Sequence, residues 1–338
     1  MPASMTRSRR LAARGLVALG LVLGLGLTTT LPARAGSPPL RLAVSNTPAS
    51  LPIYVAEAQR YFLDAGVEVA TQECLGGPRC IAEMFEGRVD VATTTELSVA
   101  LQAFTRSDFA IFATIMGAAR DTRIVVRQSA GIQSPAQLAG KRIATVRGAG
   151  THYYLDSALL YHGVDPRQVA IVWLLPEQVG PALVAGRVDA AVIWQPLAQD
   201  TLRALGADGL LLPYTRVYEY SFNLVALNPV LGARSDELVR LLRALDRAVA
   251  FIREQPAQAQ AILKARLHVD QALVDAVWPD FKYSLALNQA LVVTIEGELR
   301  WARREGQAPA RQALPEVLPF IDTAPLRSAV PGAVTLLK

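Results

Sequence analysis

Short apolar segments alternate with segments of helical periodicity along much of the chain. The apolar segments are rich in Val, Ile, Leu and Ala, and each is short enough for one buried strand. In the first part of the chain they cover residues 40–44, 67–73, 89–92 and 110–115. The helical segments between them end at turn residues, for example at Gly66 and Gly87. This alternation predicts an α/β fold with largely parallel sheets.

A second round of the same alternation follows and contains an echo of the first. Its predicted strands cover residues 124–127, 142–146, 169–174, 188–193 and 222–227. The segment EGRVDVA at 86–92 recurs as AGRVDAA at 185–191, in each case where a helix stops at glycine before a strand. Such punctuation can arise by convergence, but the shared GRVDxA at the same place in each round favours two similar lobes.

From Ser235 onward the chain becomes helical. Apolar residues recur every three or four positions, as in Leu238, Leu241, Leu242 and Leu245. The predicted helices cover residues 236–254, 257–267, 271–277 and 288–304. The final segment contains recurrent prolines, which predict an extended strap over the surface with short helical turns.

The first residues have the composition of a cleaved export signal. Several arginines precede an apolar run at 16–27, and ARA at 33–35 has the form of a cleavage site. The run is short for a bilayer span, so a membrane anchor is the secondary interpretation. We therefore expect a signal peptide over residues 1–35, cleavage after Ala35 and a periplasmic protein. SRR at 8–10 partly resembles a twin-arginine signal, which leaves the export route open.

The same leader carries the excess of positive charge. The whole chain has 34 basic and 29 acidic side chains, a formal net charge of +5. Residues 1–35 hold five arginines and no acid, which leaves 29 side chains of each sign in the mature chain. The pI of 9.4 therefore gives no support to a nucleic-acid-binding function. About 300 mature residues are enough for two lobes of ordinary size.

Cys74 and Cys80, in the segment CLGGPRC, are the only cysteines of the chain. In an exported protein a pair this close in sequence is most simply a disulfide. Two free thiols are a second interpretation. A metal site is a third, although its other ligands would have to come from distant parts of the sequence.

The segment KRIATVRGAGTHYYLDSALLYHG at 141–163 predicts a buried strand, a glycine loop and a helix that opens near Thr151. The first backbone N–H groups of such a helix have no internal partner, and the helix dipole favours an anion beside them. Any α/β protein has several such junctions, so the pattern alone does not identify a ligand site.

Five longer stretches of the sequence resemble one protein family. They are LPIYVAEAQRYFLDAGVEV, FEGRVDVATTTELSVAL, GKRIATVRGAGTHYYLDSALLYHGV, ALVAGRVDAAVIWQP and LNQALVVTIEGELRWARR, the last followed by PFIDTAPLRSAV. In this order they are similar to periplasmic substrate-binding proteins of ABC importers, in the nitrate/sulfonate/taurine group. The thiamine-pyrimidine-binding group is similar as well. The resemblance covers essentially all of residues 40–337, and THY at 151–153 with WQP at 194–196 looks most like the taurine-type branch.

The resemblance implies a type II periplasmic-binding-protein fold, in which two α/β lobes close on a ligand cleft. Lobe 1 would comprise residues 40–126 and 219–338, the second part supplying C-terminal helices and the strap, and lobe 2 would comprise residues 127–218. Such proteins are monomers that deliver a small-molecule ligand to the transmembrane permease of an ABC importer with a cytoplasmic ATPase. The resemblance implies no cofactor, no metal, no nucleic-acid partner and no enzymatic activity.

The ligand of such a protein lies at the carboxyl ends of the strands, between the lobes. The loops expected there are 46–51, 76–77, 93–96, 148–153 and 194–195, with Tyr218 and Tyr220 near the second crossover. The candidate ligand-binding residues are Asn46, Ser50, Leu51, Gly77, Thr94, Thr95, Glu96, Gly150, Thr151, His152, Tyr153, Trp194, Gln195 and Tyr220.

Each chemically active candidate also has a structural interpretation. Thr151 would donate its hydroxyl and N–H to an anionic head group and His152 would add a hydrogen bond, but the first can be a helix cap and the second can pack on the surface of its lobe. Trp194 would form a wall of the cleft, or belong to the core. Glu96 would pair with a ligand ammonium or guanidinium, or stabilise a helix N-terminus.

The resemblance favours one class of ligand, and the cleft loops leave another class open. A taurine-like or aliphatic sulfonate ligand is favoured, but the cleft loops lack an arginine clamp, and Arg120 and Arg147 are the nearest arginines. A pyrimidine, aromatic or carboxylate solute is the alternative, as is a sensor that acts in trans on a membrane partner. An enzyme on this scaffold is disfavoured, because no lysine falls in a cleft loop and no cysteine-rich metal motif is present.

Overall fold

The computed structural model describes residues 38–309 and 313–337. The predicted signal peptide and its cleavage site at Ala35 lie outside these residues. Within the described ranges, no helix has both the length and the apolar character needed to cross a membrane.

Eleven strands in the described chain pair into two separate sheets. They are β1 (Leu40–Ser45), β2 (Val69–Cys74), β3 (Val91–Thr95), β4 (Phe109–Ala118), β5 (Arg123–Arg127), β6 (Arg142–Thr145), β7 (Ala170–Trp173), β8 (Ala190–Ile193), β9 (Gly209–Leu211), β10 (Tyr220–Leu227) and β11 (Lys282–Ala286). The first sheet has the order β11-β4-β10-β3-β1-β2 and the second the order β7-β6-β8-β5-β9. Each sheet forms the centre of one lobe.

The two sheets share one strand arrangement. In the first, β1 pairs in parallel with β2 and β3, and in the second β6 pairs in parallel with β7 and β8. An antiparallel strand lies next to each group, β10 in the first sheet and β5 in the second. The chain passes between the lobes twice, from β4 to β5 and from β9 to β10. The structure thus has the two-lobed α/β architecture that the sequence predicts.

Two details differ from the sequence prediction. The sheets are mixed rather than largely parallel, because β10 and β5 run antiparallel to both neighbours and β11 runs antiparallel to β4. The predicted boundary after residue 126 falls within β5, which already belongs to the second sheet. The two crossovers therefore span residues 119–122 and 212–219.

Thirteen α-helices of the described chain pack on the two sheets. They are α1 (Leu51–Ala58), α2 (Tyr61–Asp64), α3 (Gly77–Phe85), α4 (Glu96–Gln102), α5 (Gly150–Tyr161), α6 (Pro176–Val184), α7 (Leu197–Leu205), α8 (Asn228–Ala233), α9 (Ser235–Glu254), α10 (Pro256–Leu267), α11 (Gln271–Val277), α12 (Gln289–Arg304) and α13 (Ala324–Ala329). In lobe 1, α9 packs against α1 and α13, and α12 packs against α4. The sequence predicts α11 to the residue but does not predict the short strands β9 and β11.

The repeated GRVDxA segment makes the same contact in both lobes. Asp90 accepts hydrogen bonds from the backbone N–H (2.9 Å) and Nη2 (2.7 Å) of Arg41, whose Nη1 also donates to the Gly87 carbonyl (3.0 Å). Asp189 accepts the equivalent bonds from the N–H (2.8 Å) and Nη2 (3.0 Å) of Arg142. In lobe 1 these bonds join β1 to the segment before β3, and in lobe 2 they join β6 to the segment before β8. The echo in the sequence is therefore one structural element present twice.

Cys74 and Cys80 form a disulfide bond, which confirms the preferred interpretation of the pair. Cys74 ends β2 and Cys80 lies in α3, so the bond closes the loop that contains Gly76 and Gly77. This loop reaches the cleft between the lobes.

Replacing both Cys74 and Cys80 with alanine is expected to lower the free energy of unfolding by about 2 kcal/mol, because the closed loop is short. Urea denaturation of the native protein and the double variant measures this difference. A reductant should destabilise the native protein and leave the double variant unchanged. A double variant as stable as the oxidised native protein would contradict the prediction.

Candidate functional site

A cavity lies between the lobes, at the carboxyl ends of the parallel strands. The cavity has an empty volume of about 450 Å³, measured to its opening. Within it, a volume of about 40 Å³ is accessible to the centre of a water molecule. The cavity is lined by Ser45, Thr47, Gly76, Gly77, Pro78, Thr95, Asp121, Thr122, Ala149, Gly150, Thr151, Trp194, Tyr218, Tyr220 and Phe222. A small space with polar groups converging from two lobes is typical of a site for a small solute.

Lobe 1 contributes the residues at the ends of its first three strands. Ser45 ends β1, Thr95 ends β3, and residues 76–78 connect β2 to the first turn of α3. The hydroxyl oxygens of Ser45, Thr47 and Thr95 are buried and have no hydrogen-bond partner within the described chain. Since buried polar atoms in folded proteins are nearly always paired, these three hydroxyls are available to a bound solute.

Lobe 2 contributes the start of α5 and the end of β8. Gly150 and Thr151 form the first turn of α5, and the Thr151 hydroxyl lies 2.9 Å from that of Thr145. Trp194 follows β8 and is buried, and its Nε1 has no hydrogen-bond partner in the described residues. The starts of α3 and α5 thus meet at the cavity from opposite lobes. At α3 the donor is the Gly77 N–H, because Pro78 has no N–H and the Arg79 N–H is bonded to the Gly76 carbonyl at 3.1 Å. At α5 the donors are the N–H groups of Gly150 and Thr151, and such groups suit an anion.

The two lobes touch each other across the cleft. Gly76 has a φ angle of +86°, and a Cβ at this position would lie 2.9 Å from Cζ2 and Cη2 of Trp194. Ser98 in α4 donates a hydrogen bond of 3.2 Å to the Gly148 carbonyl in front of α5. These contacts describe a closed arrangement of the lobes.

Asp121, in the first crossover, is the only carboxyl group of the described cavity lining. Its Oδ2 accepts a hydrogen bond from the Tyr220 hydroxyl at 3.0 Å, and its Oδ1 accepts one from the Gln195 N–H at 3.3 Å. Burial raises the pKa of Asp121 to about 7, although both hydrogen bonds favour the charged form.

Two further carboxyl groups, those of Glu96 and Glu298, lie around Tyr218 behind the cavity. The Tyr218 hydroxyl lies 2.5 Å from Oε1 of Glu96 and 3.2 Å from Oε1 of Glu298. The other oxygen of Glu96 accepts bonds from the N–H and hydroxyl of Ser221 at 2.8 and 2.9 Å. Burial raises the pKa of Glu96, and burial together with the nearby Glu96 charge raises the pKa of Glu298 well above its ordinary value. Glu96 therefore links lobe 1 to the second crossover.

His152 lies between two tryptophans rather than in the cavity. Its ring makes edge contacts with Trp173 and Trp301 at centroid distances of 4.6 and 4.7 Å. Trp301 in turn donates a hydrogen bond of 2.9 Å from Nε1 to Asp156, which joins α12 of lobe 1 to α5 of lobe 2. Burial lowers the pKa of His152 to about 4, helped by the positive charge of Arg147. The imidazole is therefore neutral and belongs to the contact between the lobes.

The structure brings six of the fourteen predicted residues into the cavity lining, namely Gly77, Thr95, Gly150, Thr151, Trp194 and Tyr220. The other eight are not among the lining residues: Asn46, Ser50, Leu51, Thr94, Glu96, His152, Tyr153 and Gln195. Tyr153 follows His152 away from the cavity, and its ring packs on Tyr218 and Trp301.

The remaining exceptions have local causes. The Ser50 hydroxyl donates to the Ser45 carbonyl at 2.6 Å, and Leu51 is fully buried in the core of lobe 1. Thr94 lies directly behind Gly77, where a Cβ would meet the Thr94 Oγ1 at 2.6 Å.

The two remaining predicted residues, Gln195 and Asn46, lie in loops next to the lining. The side-chain oxygen of Gln195 accepts a bond from the Gln199 N–H at 3.1 Å and so supports the start of α7. Asn46 is half-buried beside the lining, and its Oδ1 has no partner within the described chain.

Nine lining residues are absent from the list of candidate residues, although Thr47, Gly76 and Ala149 lie in loops expected at the cleft and Tyr218 is expected near them. The nine are Ser45, Thr47, Gly76, Pro78, Asp121, Thr122, Ala149, Tyr218 and Phe222. Ser45 and Thr47 follow a predicted strand, so the rule that placed their neighbours at the cleft also applies to them. Asp121 and Thr122 lie in a crossover, and no motif in the sequence marks them.

No arginine of the described chain lines the cavity, so the structure does not provide the arginine clamp that the cleft loops lack. The Arg147 guanidinium lies 4.5 Å from the ring centre of Trp173, and that of Arg120 lies 3.6 Å from Asp280. Neither residue lines the cavity. Among the residues that the structure describes, no group of three or more His, Cys, Asp or Glu side chains could hold a metal ion.

Several solved structures share this fold. The alkanesulfonate-binding protein SsuA from Xanthomonas axonopodis pv. citri, bound to MOPS, superposes with a TM-score of 0.74 at 18% identity, over 86% of this chain and all of the other. The desulfurization enzyme DSZB superposes with a TM-score of 0.64 at 15% identity, over 88% of this chain and 99% of the other. At these identities the likeness concerns the fold alone.

Sequence relatives are named as binding proteins. A Bacillus subtilis (strain 168) protein described as binding aliphatic sulfonates is 28% identical over 67% of this chain and 69% of its own length. The taurine-binding periplasmic protein of Escherichia coli (strain K12) is 30% identical over 48% of this chain, which spans about half (49%) of that relative. The model of the family described as NMT1/THI5 like matches residues 47–259. Since this match covers more than half of the sequence, the chain belongs to the NMT1/THI5-like family.

Proposed function

We propose that the protein is a periplasmic solute receptor of an ABC importer, which captures a small organic anion of the sulfonate type between its lobes. One observation carries this proposal most directly. Three buried hydroxyls of lobe 1 and the Trp194 Nε1 of lobe 2 have no hydrogen-bond partner in the described chain, and all four belong to residues that line one cavity. Groups of this kind, facing one space from two lobes, suit a ligand that holds the lobes together.

The mechanism is a shift in the population of open and closed forms. A solute that touches both lobes binds the closed form more tightly, and that difference in affinity sets how far it shifts the equilibrium. The starts of α3 and α5 supply N–H groups to the acidic part of the solute, and the hydroxyls of Ser45, Thr47 and Thr95 supply further donors. No bond in the solute is made or broken.

A sulfonate suits these donors because its charge is spread over three oxygens. Neutral N–H and O–H groups can bind such an anion without a lysine or arginine. The names of the sequence relatives, which mention aliphatic sulfonates and taurine, support this ligand class. A carboxylate, pyrimidine or aromatic solute is the alternative.

The remaining parts of the proposal follow from the family resemblance. The receptor, a monomer, is exported with its leader, stays in the periplasm and delivers the solute to a membrane permease with a cytoplasmic ATPase. Presentation of the bound form to a membrane sensor is the alternative use of the same closure. We propose no reaction, since the relatives with the higher identities are named binding proteins and both cysteines of the chain are joined in a disulfide.

A ligand panel tests the proposal. The purified mature protein is heated with taurine, alkanesulfonates, nitrate, pyrimidines and aromatic acids, and positive results are measured again by calorimetry. A true ligand at 100 times its Kd adds about 2.7 kcal/mol to the stability of the folded state and raises Tm by several degrees. The solute should be recovered unchanged, and recovery of a product would support an enzyme instead.

A matched pair of variants links the binding to the cavity. Thr95→Val removes a hydroxyl without a partner at the lining, whereas Thr105→Val alters an exposed turn outside it. Only the first should weaken binding. A panel without any thermal shift or calorimetric heat would count against the receptor function.

A further inference from the structure

We infer that the solute carries a positively charged nitrogen as well as its acidic group, and that Asp121 binds this nitrogen inside the closed cleft. The inference rests on the proposed solute-binding function and refines its ligand class. It identifies Asp121 as the residue that selects zwitterionic solutes over simple anions.

Asp121 is a buried carboxyl group at the cavity. It lies in the crossover between β4 and β5, lines the cavity and is only 5% exposed. Each of its two oxygens accepts one hydrogen bond, from Tyr220 or from the Gln195 N–H. A carboxylate offers about four acceptor positions in total, so Asp121 keeps capacity for further donors.

Asp121 has no counter-charge in the described cavity lining. None of the lining residues in the described chain is a lysine, arginine or histidine. The nearest arginine in sequence, Arg120, is directed to Asp280. A buried carboxylate without a positive partner is costly unless it takes up a proton or meets a cation. The raised pKa of Asp121, about 7, has the same origin.

The cavity lining contains both donor groups and acceptor groups. Donor groups come from the helix starts and from Ser45, Thr47 and Thr95, and they suit an anion. Asp121 and its neighbour Tyr220 add acceptors to the same lining. A solute that satisfies both kinds of group has an acidic group and an ammonium separated by a few atoms, because the accessible space is small.

Three compounds of nearly equal shape separate the contributions. Taurine carries an ammonium, isethionate has a hydroxyl in its place, and ethanesulfonate has neither. The structure predicts that calorimetry gives at least a tenfold lower Kd for taurine than for the other two, the size expected for one charge-assisted hydrogen bond. Equal affinities for taurine and isethionate would overturn the inference and leave the receptor function intact. No binding by any of the three would count against the sulfonate ligand class itself, and with it against the inference.

Variants identify the residue responsible. Asp121→Asn keeps the shape: its Oδ1 can still accept from the Gln195 N–H, and its Nδ2 can donate to the Tyr220 hydroxyl in place of the bond that Tyr220 donates to Asp121. It should raise the Kd for taurine at least tenfold while the Kd for isethionate changes little. Glu83→Gln is the matched control, since Glu83 is equally buried at 5% exposed but is bound to Gln72 and Arg79 outside the cavity. Loss of affinity for both sulfonates in Asp121→Asn would indicate a purely structural residue and would overturn the inference.

The pH dependence distinguishes two protonation states of Asp121. If the carboxylate binds a cation, taurine affinity falls as the pH drops below about 7, because protonation removes the charge. A neutral Asp121 that donates to the sulfonate would give the opposite slope, and that result would overturn the inference. The titratable groups that face Asp121 are the phenols of Tyr220 and Tyr283, and burial raises both pKa values well above the ordinary value, away from this range.

Discussion

Gly76→Ala is expected to weaken solute binding at least tenfold while both lobes remain folded. Gly76 lies in lobe 1, and a Cβ there would lie 2.9 Å from two ring atoms of Trp194 in lobe 2. This distance is too short for carbon atoms, so the methyl group would hold the lobes apart. Because the solute stabilises only the closed form, every cost to closure appears directly as a loss of affinity. Calorimetry with the best ligand of the panel measures it.

The control for this variant is Gly87→Ala. Gly87 also has a positive φ, +73° against +86° at Gly76, but a Cβ at Gly87 would meet nothing within 4 Å. Gly87→Ala should lose about 1 kcal/mol of stability from backbone strain. Gly76→Ala should lose more, because its φ of 86° with a ψ of 151° lies in a region that essentially only glycine adopts. Only Gly76→Ala should change Kd, and X-ray scattering should show that it stays extended when solute is added. Equal Kd values for the two variants would show that this contact does not limit closure.

Glu298→Gln is expected to stabilise the protein at neutral and alkaline pH by more than about 1 kcal/mol, with little effect near pH 4.5. Burial and the neighbouring Glu96 raise the pKa of Glu298 far above its value in the unfolded chain. The folded protein therefore binds more protons than the unfolded chain, and its stability falls as the pH rises above about 4.5 toward the raised pKa. A neutral glutamine removes this loss, and its carbonyl can still accept from Tyr218.

Urea unfolding between pH 4.5 and 8.5 measures the effect as the difference between variant and native protein. The difference is needed because other buried groups titrate in the same range. His152, for example, has a pKa lowered to about 4, so its own contribution rises with pH. Glu296→Gln is the control on the same helix, since Glu296 is 49% exposed and lies 3.6 Å from Arg300. Parallel curves for Glu298→Gln and the native protein would disprove the prediction.

Local patterns were sufficient for most of the strands and helices and for the prediction of two lobes. They depend on periodicity and on glycine stops, both of which act over a few residues. The strand β11 was not predicted because its sequence, KYSLA, is short and polar at one end. It is recognisable as a strand only from its pairing with β4. The antiparallel direction of β10 and β5 could not be read either, since it follows from the crossovers rather than from any local signal.

The rule that ligands bind at strand ends predicted six residues of the cavity lining. It could not predict the direction in which neighbouring side chains point. Gly150 and Thr151 face the cavity, whereas His152 and Tyr153 are turned away, because successive residues of a helix are rotated by about 100°. Glu96 was expected to reach a ligand, but it is bound by Tyr218 and Ser221, which are 122 and 125 residues away in sequence. Such partners can be identified only once the chain is folded.

The position of β10 has a consequence for how the protein assembles. Lobe 2 is one continuous segment, from β5 to β9, inserted between the two parts of lobe 1. The strand β10 lies between β3 and β4, so the middle of the lobe 1 sheet is missing until the chain beyond lobe 2 has emerged. Lobe 2 therefore has all its strands before lobe 1 does, and the arrival of β10 joins two incomplete halves into one sheet. The order of synthesis thus makes the inserted lobe the first to be complete and the lobe that surrounds it the last.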